Sequence, residues 1–366
     1  PGGDGSLVAV DGGRTATSDW DLPTEALNPK SATMDGFFAG GATETGDDDD
    51  EQDNCPARED LADARAIAEC LSIPLHTTSF SSEYWDRVFR YFLDEYSAGR
   101  TPNRDILCNQ EIKFGAFLDH ALELGSDCIA TGHYARVSGE ADARRLLKGR
   151  DSTKDQSYFL YRLGQRALQH SLFPLGELTK AEVRIMAEKR GLPNFAKKDS
   201  TGICFIGERR FSDFLARYLP ANPGDIVTPG GEFLGRHQGL MFHTIGQRQG
   251  LGIGGMRQCS GEPWYVAGKD LQANRLIVVQ GKNHPALLRS SLQASDLHWI
   301  SATAPAVPFE CSARIRYRQA DQACEILDYG ENSCDVRFTV PQRAVTPGQA
   351  IVFYQGDACL GGGTIQ

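Results

Sequence analysis

Hydrophobic residues recur at helical spacing in three segments between residues 59 and 124. Glu59–Leu71, Ser82–Ser97 and Glu111–Leu124 each carry an apolar stripe on one face, which predicts three amphipathic helices. Ile73–Phe80 and Asp127–Thr131 have the apolar pattern of short buried strands. Because strands and helices alternate, we predict an α/β fold with a doubly wound, Rossmann-like parallel sheet, whose ligands bind beyond the carboxyl ends of the strands.

The pattern changes after about residue 215. The capping-box sequence Thr179–Glu182 opens one more helix, and then glycine clusters replace the helical period. From about residue 275 short alternating segments predict strands, namely Leu276–Gln280, Cys311–Arg318, Cys324–Leu327, Val336–Val340 and Ala350–Tyr354. We therefore predict a catalytic α/β domain over 1–215, a small central domain over 216–283 and an all-β, barrel-like domain over 284–366.

Composition narrows the class of protein. Hydrophobic residues make up 40% of the chain and charged residues 23%, which is typical of soluble globular proteins. No stretch approaches the roughly 18 apolar residues of a membrane span, and no secretory signal is recognisable, so we expect a cytoplasmic protein without a membrane partner. The ten cysteines are scattered without a CxxC pair, so neither a disulfide scaffold nor a metal site is predicted. Most should be buried thiols.

The net charge of −10 argues at first against a nucleic-acid partner. Residues 1–65 contain 16 acidic and 4 basic side chains, however, so the remaining 301 residues carry a small positive balance. Basic clusters occur there, including Lys197-Lys198 and Arg314–Arg318. A face that contacts phosphates is therefore compatible with the composition.

Two cysteines occur in segments that could make them reactive. Cys108 follows a polar loop that leads into a helix, where the helix dipole would favour the thiolate. Cys204 follows Lys197 and Lys198, whose charges would act in the same way. Spacing alone leaves the alternative open that both are small core residues.

Two other segments have the composition of RNA contacts. In Asp151–Tyr158, the side chains of Lys154 and Gln156 could bind a phosphate or a base edge; the alternative is an ordinary loop with an Asx turn. In Arg316–Gln319, strand alternation would place Arg316 and Arg318 on one face and Tyr317 on the other. That arrangement suits contacts to an RNA backbone, whereas the alternative is a solvated strand.

Together these segments resemble one family, the bacterial tRNA-specific 2-thiouridylases, over roughly residues 54–366. The resemblance rests on eight segments in the same order. They are Ala98–Asn103, Asp105–Asn109, Ala130–Tyr134, Lys154–Leu160, Asp199–Arg209, His243–Arg248, Arg316–Gln319 and Val345–Gln349.

The resemblance implies an ATP-dependent reaction, with Mg²⁺, in which the O2 of the wobble uridine is adenylated and sulfur then displaces AMP. Cys204 matches the cysteine that carries the persulfide and Cys108 its partner nucleophile, and Asp105, in the family's target-base loop, is grouped with these catalytic residues. The implied partners are tRNA and a protein that donates persulfide sulfur. Gly132 matches a nucleotide contact. Implied tRNA contacts are Asn103, Arg104, Asp105, His133, Lys154, Asp155, Gln156, Arg316, Tyr317 and Gln349, with Arg104 standing where the family usually has proline.

The chain departs from the family at its beginning, where the family has a strand followed by Ser-Gly-Gly-x-Asp-Ser, a loop that binds pyrophosphate. Pro1–Ser6 keeps two glycines but has no strand before it. Asp11–Thr17 follows the strand Leu7–Val10, and we favour this segment over Pro1–Ser6 as the counterpart of the pyrophosphate loop. Gly12 and Gly13 would then lie at the phosphates. Because that loop lacks the serine and the aspartate, the alternative is a tRNA-binding protein of the same fold with an impaired ATP site and no adenylation activity.

Overall fold

In the computed structural model of the chain, the described residues are 7–10, 56–140, 143–197, 215, 218–253 and 261–366. For residues 7–10 and 56–59 the description is of the backbone only. The described residues form a helical region with a small sheet, a central four-stranded sheet and a large β-barrel.

Amphipathic helices form where the apolar stripes predict them. Helix α1 is Pro56–Leu71. Ser81–Tyr84, Trp85–Phe89 and Arg90–Ser97 run on without a break as helix α2, with π geometry in the middle, and Gly99 follows with φ +75°. Arg104–Leu107, Cys108–Ala116 and Phe117–Glu123 likewise form helix α3. Two shorter helices follow, α4 at Gln165–Gln169 and α5 at Lys180–Lys189, and the predicted capping box of α5 is present at Thr179.

The sheet of the first domain has three described strands. Strand β1 is Leu7–Val10, β2 is Cys128–Thr131 and β5 is Ser171–Leu172, in the order β1-β2-β5. Strand β2 is parallel to β5 but antiparallel to β1, so the described part of this sheet is mixed. The strand predicted at residues 73–80 is wrong: within the described part of the chain this segment belongs to no sheet, and Pro74 has no backbone N–H to donate to a neighbouring strand.

The central domain is built on a four-stranded sheet in the order β7-β6-β9-β8. The strands are β6 at Gly224–Val227, β7 at Phe233–His237, β8 at Trp264–Asp270 and β9 at Arg275–Gln280. Their inward side chains form a separate small core, which includes Ile226, Val266 and Val278.

Six strands of the last domain close into a barrel. They are β10 at Leu288–Trp299, β11 at Phe309–Arg314, β12 at Gln322–Tyr329, β13 at Ser333–Arg343, β14 at Ala350–Gln355 and β15 at Ala358–Ile365. The order β10-β13-β12-β11-β14-β15 returns to β10 because β10 also pairs with β15. Inward residues such as Ile326, Val336 and Phe353 fill the interior. Closure satisfies backbone groups that an open sheet edge would expose.

The first domain and the barrel share one sheet. Strands β3 at Ala135–Ser138 and β4 at Arg145–Lys148 form a hairpin, and β4 pairs with β15 of the barrel. The largest hydrophobic core is continuous across this junction, since it contains Phe117 and Leu160 as well as Val352 and Tyr354. The barrel is therefore packed against the first domain through a shared sheet and a shared core.

No helix among the described residues is long and apolar enough to cross a membrane. The described cysteines follow the composition-based expectation in part. Cys108, Cys324, Cys334 and Cys359 are buried, Cys128 and Cys311 are half-buried, and Cys70 is exposed.

Candidate functional site

The polar loop that precedes helix α3 ends at Asn103, whose extended backbone places it at the N-cap. Asn103 is a hydrogen-bond partner of the buried Tyr158 hydroxyl, which also donates to the carbonyl of Ala350 at 2.9 Å. Arg104 and Asp105 form the first turn, with Arg104 Nε 3.7 Å from Asp105 Oδ1. The three polar side chains therefore lie together at the helix start, partly exposed to solvent.

Residues of the barrel hold this loop in position through hydrogen bonds. The backbone N–H of Thr101 donates to the carbonyl of Pro347 at 3.0 Å, and Gln349 Nε2 donates to the carbonyl of Thr101 at 2.7 Å. Between them, Gly348 has φ +87°, and a Cβ on it would stand 2.8 Å from the Thr101 nitrogen. The predicted tRNA contact Gln349 thus fixes the loop through the backbone.

The central domain contacts the same loop. Lys269 Nζ, on β8, donates to the carbonyl of Gly99 at 2.9 Å, and burial lowers the Lys269 pKa to about 8. A cavity of about 400 Å³ lies where the three domains meet, lined by Lys269, Thr101 and Val345 among others. The position of the loop therefore depends on all three domains.

Cys108 lies further along α3, one turn beyond the N-cap, and is buried in the largest core. Because the helix dipole acts mainly within the first turn, the argument from helix position does not carry over to Cys108. The next residue, Asn109, donates from Nδ2 to the carbonyl of Phe159 at 3.1 Å. Helix α3 thus connects the Asn103 loop with the segment that follows Gln156.

Gly132 and His133 follow the carboxyl end of β2, the edge where the sheet topology predicts a ligand. Gly132 is half-exposed, whereas His133 is only 3% exposed. His133 Nδ1 lies 2.9 Å from Thr131 Oγ1, and its ring packs 5.6 Å from the ring of Phe114 on α3. Burial, with a smaller contribution from Lys113, holds the His133 pKa well below its usual value, so the imidazole is neutral.

The Lys154–Gln156 segment is mostly turned inward. Asp155 Oδ2 accepts a hydrogen bond from Arg314 Nη1 at 2.7 Å, and its other oxygen accepts from the backbone N–H groups of Gly149 and Ser157. Gln156 Oε1 accepts from the N–H of Tyr134 at 2.9 Å. Of the predicted tRNA contacts, His133, Asp155 and Gln156 therefore have protein partners, and Lys154 is the half-exposed member of its segment.

Arg316 and Tyr317 lie in a turn, so the strand predicted through Arg318 is wrong in its last part. Strand β11 ends at Arg314, because Gln319 folds back to donate its N–H to Arg316 and to accept from the N–H of Ile315. The Tyr317 ring packs 4.4 Å from the ring of Phe159, and its hydroxyl lies 3.4 Å from the carbonyl of Lys154. Arg316 is exposed beside them.

The fold thus gathers the Asn103 loop, Lys154, the Arg316 turn and Gln349 around Tyr158 and Phe159, although they are far apart in the chain. Cys204, Gly12 and Gly13 lie outside the described residues. Sequence reasoning missed the partners that order the site, above all Arg314, whose guanidinium also lies 4.8 Å over the Tyr354 ring. The alternating arginines after residue 313 indicated a cluster of positive charge, but the sequence did not show that Arg314 pairs with the buried Asp155.

Three family models match the chain in succession. The model described as tRNA methyl transferase HUP domain matches residues 24–208, tRNA methyl transferase PRC-barrel domain matches 212–280, and aminomethyltransferase beta-barrel domain matches 289–365. Similar proteins carry the name tRNA-specific 2-thiouridylase MnmA. The Methylococcus capsulatus protein is 61% identical over 322 residues, 87% of this chain and 86% of its own length. The chain belongs to the tRNA-specific 2-thiouridylase family.

Other members of the 2-thiouridylase family are similar to the same extent. The protein from Nitrosococcus oceani is 58% identical over 315 residues, and that from Pseudomonas aeruginosa is 58% identical over 320 residues, with 85% or more of each chain covered. The resemblance found in the sequence motifs is confirmed. The predicted class of fold is also confirmed, with a Rossmann-like first domain, a small central domain and a terminal barrel.

Proposed function

We propose that this chain is a tRNA-uridine 2-sulfurtransferase that uses ATP to replace O2 of the wobble uridine by sulfur. The observation that carries the proposal is that the Asn103 loop, Lys154, the Arg316 turn and Gln349 lie together around Tyr158 and Phe159, in a chain about 60% identical to 2-thiouridylases. Two of the matching domain models carry a methyl transferase description. Thiolation is favoured because the relatives that match over most of the chain bear the 2-thiouridylase name.

The proposed chemistry starts from the poor leaving ability of a carbonyl oxygen. Attack of the uridine O2 on the α-phosphate of ATP releases pyrophosphate and makes AMP the leaving group. The terminal sulfur of a Cys204 persulfide then attacks C2, and AMP departs. The Cys108 thiolate attacks the Cys204 sulfur, which releases 2-thiouridine and leaves a Cys108–Cys204 disulfide. Two electrons from the cysteines thus reduce the transferred sulfur, and an external thiol reopens the disulfide.

The described residues support a division of roles. Asn103, Arg104 and Asp105 would receive the target base, since they stand partly exposed at the start of the helix that carries Cys108. Lys154, Arg316 and Tyr317 would contact the tRNA from one face. His133, Asp155, Gln156 and Gln349 would act as positioning residues, because their side chains are occupied by protein partners.

The ATP site is proposed at the carboxyl edge of the first sheet. Gly132 follows the carboxyl end of β2 there with no Cβ to block a nucleotide. Gly12 and Gly13 follow β1 in the sequence, but β1 runs antiparallel to β2 and its last residue, Val10, pairs with Cys128 at the other end of β2, so their part in this site rests on the family resemblance alone. Mg²⁺ would arrive with the ATP, whose phosphates supply oxygen ligands. The sulfur would come from a persulfide-carrying protein in the cytosol.

The proposal is tested by comparing three cysteine variants in tRNA thiolation, with persulfide as the only sulfur source. Cys204→Ser should abolish sulfur transfer but retain tRNA binding and tRNA-dependent pyrophosphate release. Cys108→Ser should also block product release, while Cys70→Ser, at an exposed position of α1, is the control and should be fully active. Normal thiolation by Cys204→Ser would overturn the persulfide assignment. A wild-type protein that binds tRNA without releasing pyrophosphate would favour the non-adenylating alternative.

A further inference from the structure

Two arginines of the barrel meet beside a glycine of the central domain. Arg316 lies in the turn after β11, and Arg343 is the last residue of β13. A Cβ placed on Gly246, where φ is +83°, would stand 3.3 Å from Arg316 Nη2 and 3.6 Å from Arg343 Nη1. Both guanidiniums therefore approach the same point, and a side chain at position 246 would intrude between them.

Neutral groups hold both arginines in place. Arg316 Nη2 donates to the carbonyl of Ala344 at 2.8 Å. Arg343 Nε donates to the carbonyl of Lys282 at 2.8 Å, and its guanidinium lies 4.7 Å over the ring of Tyr265. Neither arginine forms an ion pair with any residue of the described part. In addition, Arg343 Nη2 is buried without a hydrogen-bond partner there.

The two guanidinium charges lie close together without a carboxylate beside them in the described part of the chain. Although the Arg316 side chain keeps much of its contact with solvent, partial burial and then the nearby charge of Arg343 lower its pKa. Two other arginines on barrel strands have carboxylates, since Arg314 contacts Asp155 and Asp321 and Arg337 contacts Glu325. Arg289 on β10 donates to backbone carbonyls, but no second arginine is described beside it. Planar guanidiniums bind phosphate oxygens through paired N–H donors, and one phosphate between the two would neutralise both.

We propose that Arg343 and Arg316 together clamp one phosphate of the tRNA backbone at the junction of the barrel and the central domain. The inference rests on the proposed function and adds Arg343, which no motif singles out, to the tRNA-binding residues. An RNA phosphate is favoured over a free one because Arg316 adjoins Tyr317 and Lys154 on the proposed tRNA face. A backbone phosphate there would fix how the tRNA crosses the two domains.

The test measures tRNA affinity against salt concentration for Arg343→Gln, Arg316→Gln and the double variant. The control is Arg337→Gln, on the same strand but exposed and already paired with Glu325. Each single variant should bind tRNA about tenfold more weakly. The slope of log K against log salt concentration should become less steep by about 0.7–0.9, the contribution of one phosphate contact. Because one phosphate is shared, the double variant should lose little more slope than either single variant. The control should match the wild type.

Each other outcome decides against part of the proposal. A wild-type slope in a folded Arg343→Gln variant overturns the clamp, while normal thiolation by the wild type keeps the proposed function. If Arg343→Gln does not fold, Arg343→Lys replaces it in the test. This variant should keep the wild-type salt dependence but bind tRNA several-fold more weakly. An unchanged tRNA affinity in Arg343→Lys also overturns the clamp. A third outcome assigns the site to a free anion instead. In that case inorganic phosphate stabilises the wild type against heat but not Arg343→Gln, and the two proteins bind tRNA equally well. A wild type that does not bind tRNA overturns the proposed function itself.

Discussion

Replacing Asp155 separates a structural role for this carboxylate from a direct contact with tRNA. Its side chain is 1% exposed and pairs with Arg314 of the barrel at 2.7 Å, so Asp155→Asn breaks an ion pair that joins two domains. Removing one member of a buried pair typically costs about 3–5 kcal/mol. Arg314 keeps its second carboxylate, Asp321, at 2.7 Å, which places the expected loss near the lower value, about 3 kcal/mol.

Asp155→Ala should cost more. The alanine variant also leaves the backbone N–H groups of Gly149 and Ser157 without their acceptor, and each unmet buried donor adds about 1–3 kcal/mol. Asparagine can still accept one or both through its amide oxygen. The order of stability is therefore expected to be wild type, then Asp155→Asn, then Asp155→Ala.

The assay is urea unfolding followed by tryptophan fluorescence, with tRNA affinity measured at a temperature where every variant is folded. Asp119→Asn is the matched control, because Asp119 pairs with Arg166 at 2.6 Å but at the surface, and it should change stability by less than about 1 kcal/mol. Under these conditions Asp155→Asn should bind tRNA with the wild-type salt dependence. Wild-type stability together with weakened tRNA binding in Asp155→Asn would refute the structural role.

Three further outcomes are expected. Gly348→Ala should lower thiolation and stability together, since its Cβ would meet the Thr101 nitrogen at 2.8 Å in a left-handed backbone; equal activity in a steady-state assay would contradict the close approach. Burial lowers the His243 pKa to about 4 in the folded protein, whereas the unfolded chain has the ordinary value near 6.5. Between these two values only the unfolded chain binds the proton. The free energy of unfolding should therefore fall by up to ~1.4 kcal/mol per pH unit as the pH is lowered from 6.5 to about 4. His243→Gln should flatten that dependence in unfolding titrations. At pH 8 iodoacetamide should modify the exposed Cys70 rapidly and spare Cys334, whose pKa burial raises to about 12; equal labelling by mass spectrometry would count against this.

The sequence pattern correctly predicted those helices and strands that depend on residues close together in the chain. The capping box at Thr179 forms as its sequence requires, and the four barrel strands β11 to β14 lie within a few residues of their predicted bounds, whereas β10 and β15 were not predicted. The segment 73–80 was mispredicted because an apolar run does not specify a pairing partner. The turn at Arg316 was missed for a related reason: only the side chain of Gln319 reveals that the strand stops early.

The site was predicted by motif rather than by geometry, and the difference is visible at Asp155. A polar residue in a polar segment suggests a surface contact, yet its carboxylate is buried by an arginine 159 positions further on. Arg343 shows the reverse case, since nothing near it in the chain indicates that it approaches Arg316. Such pairings depend on barrel closure, which is a property of the whole chain.

The sheet shared by the first domain and the barrel has a consequence for biosynthesis. Lys148, at the end of β4, donates to the carbonyl of Gly356, 208 positions later, just before the strand that completes the pairing of this hairpin. At 5–20 residues per second, a ribosome needs about 10–40 s to reach that point. During this interval the hairpin presents an unpaired edge in the nascent chain, which is a template for wrong pairings. The shared sheet can therefore be completed only after the barrel has been synthesised, and chaperones that cover strand edges should affect the yield of active protein.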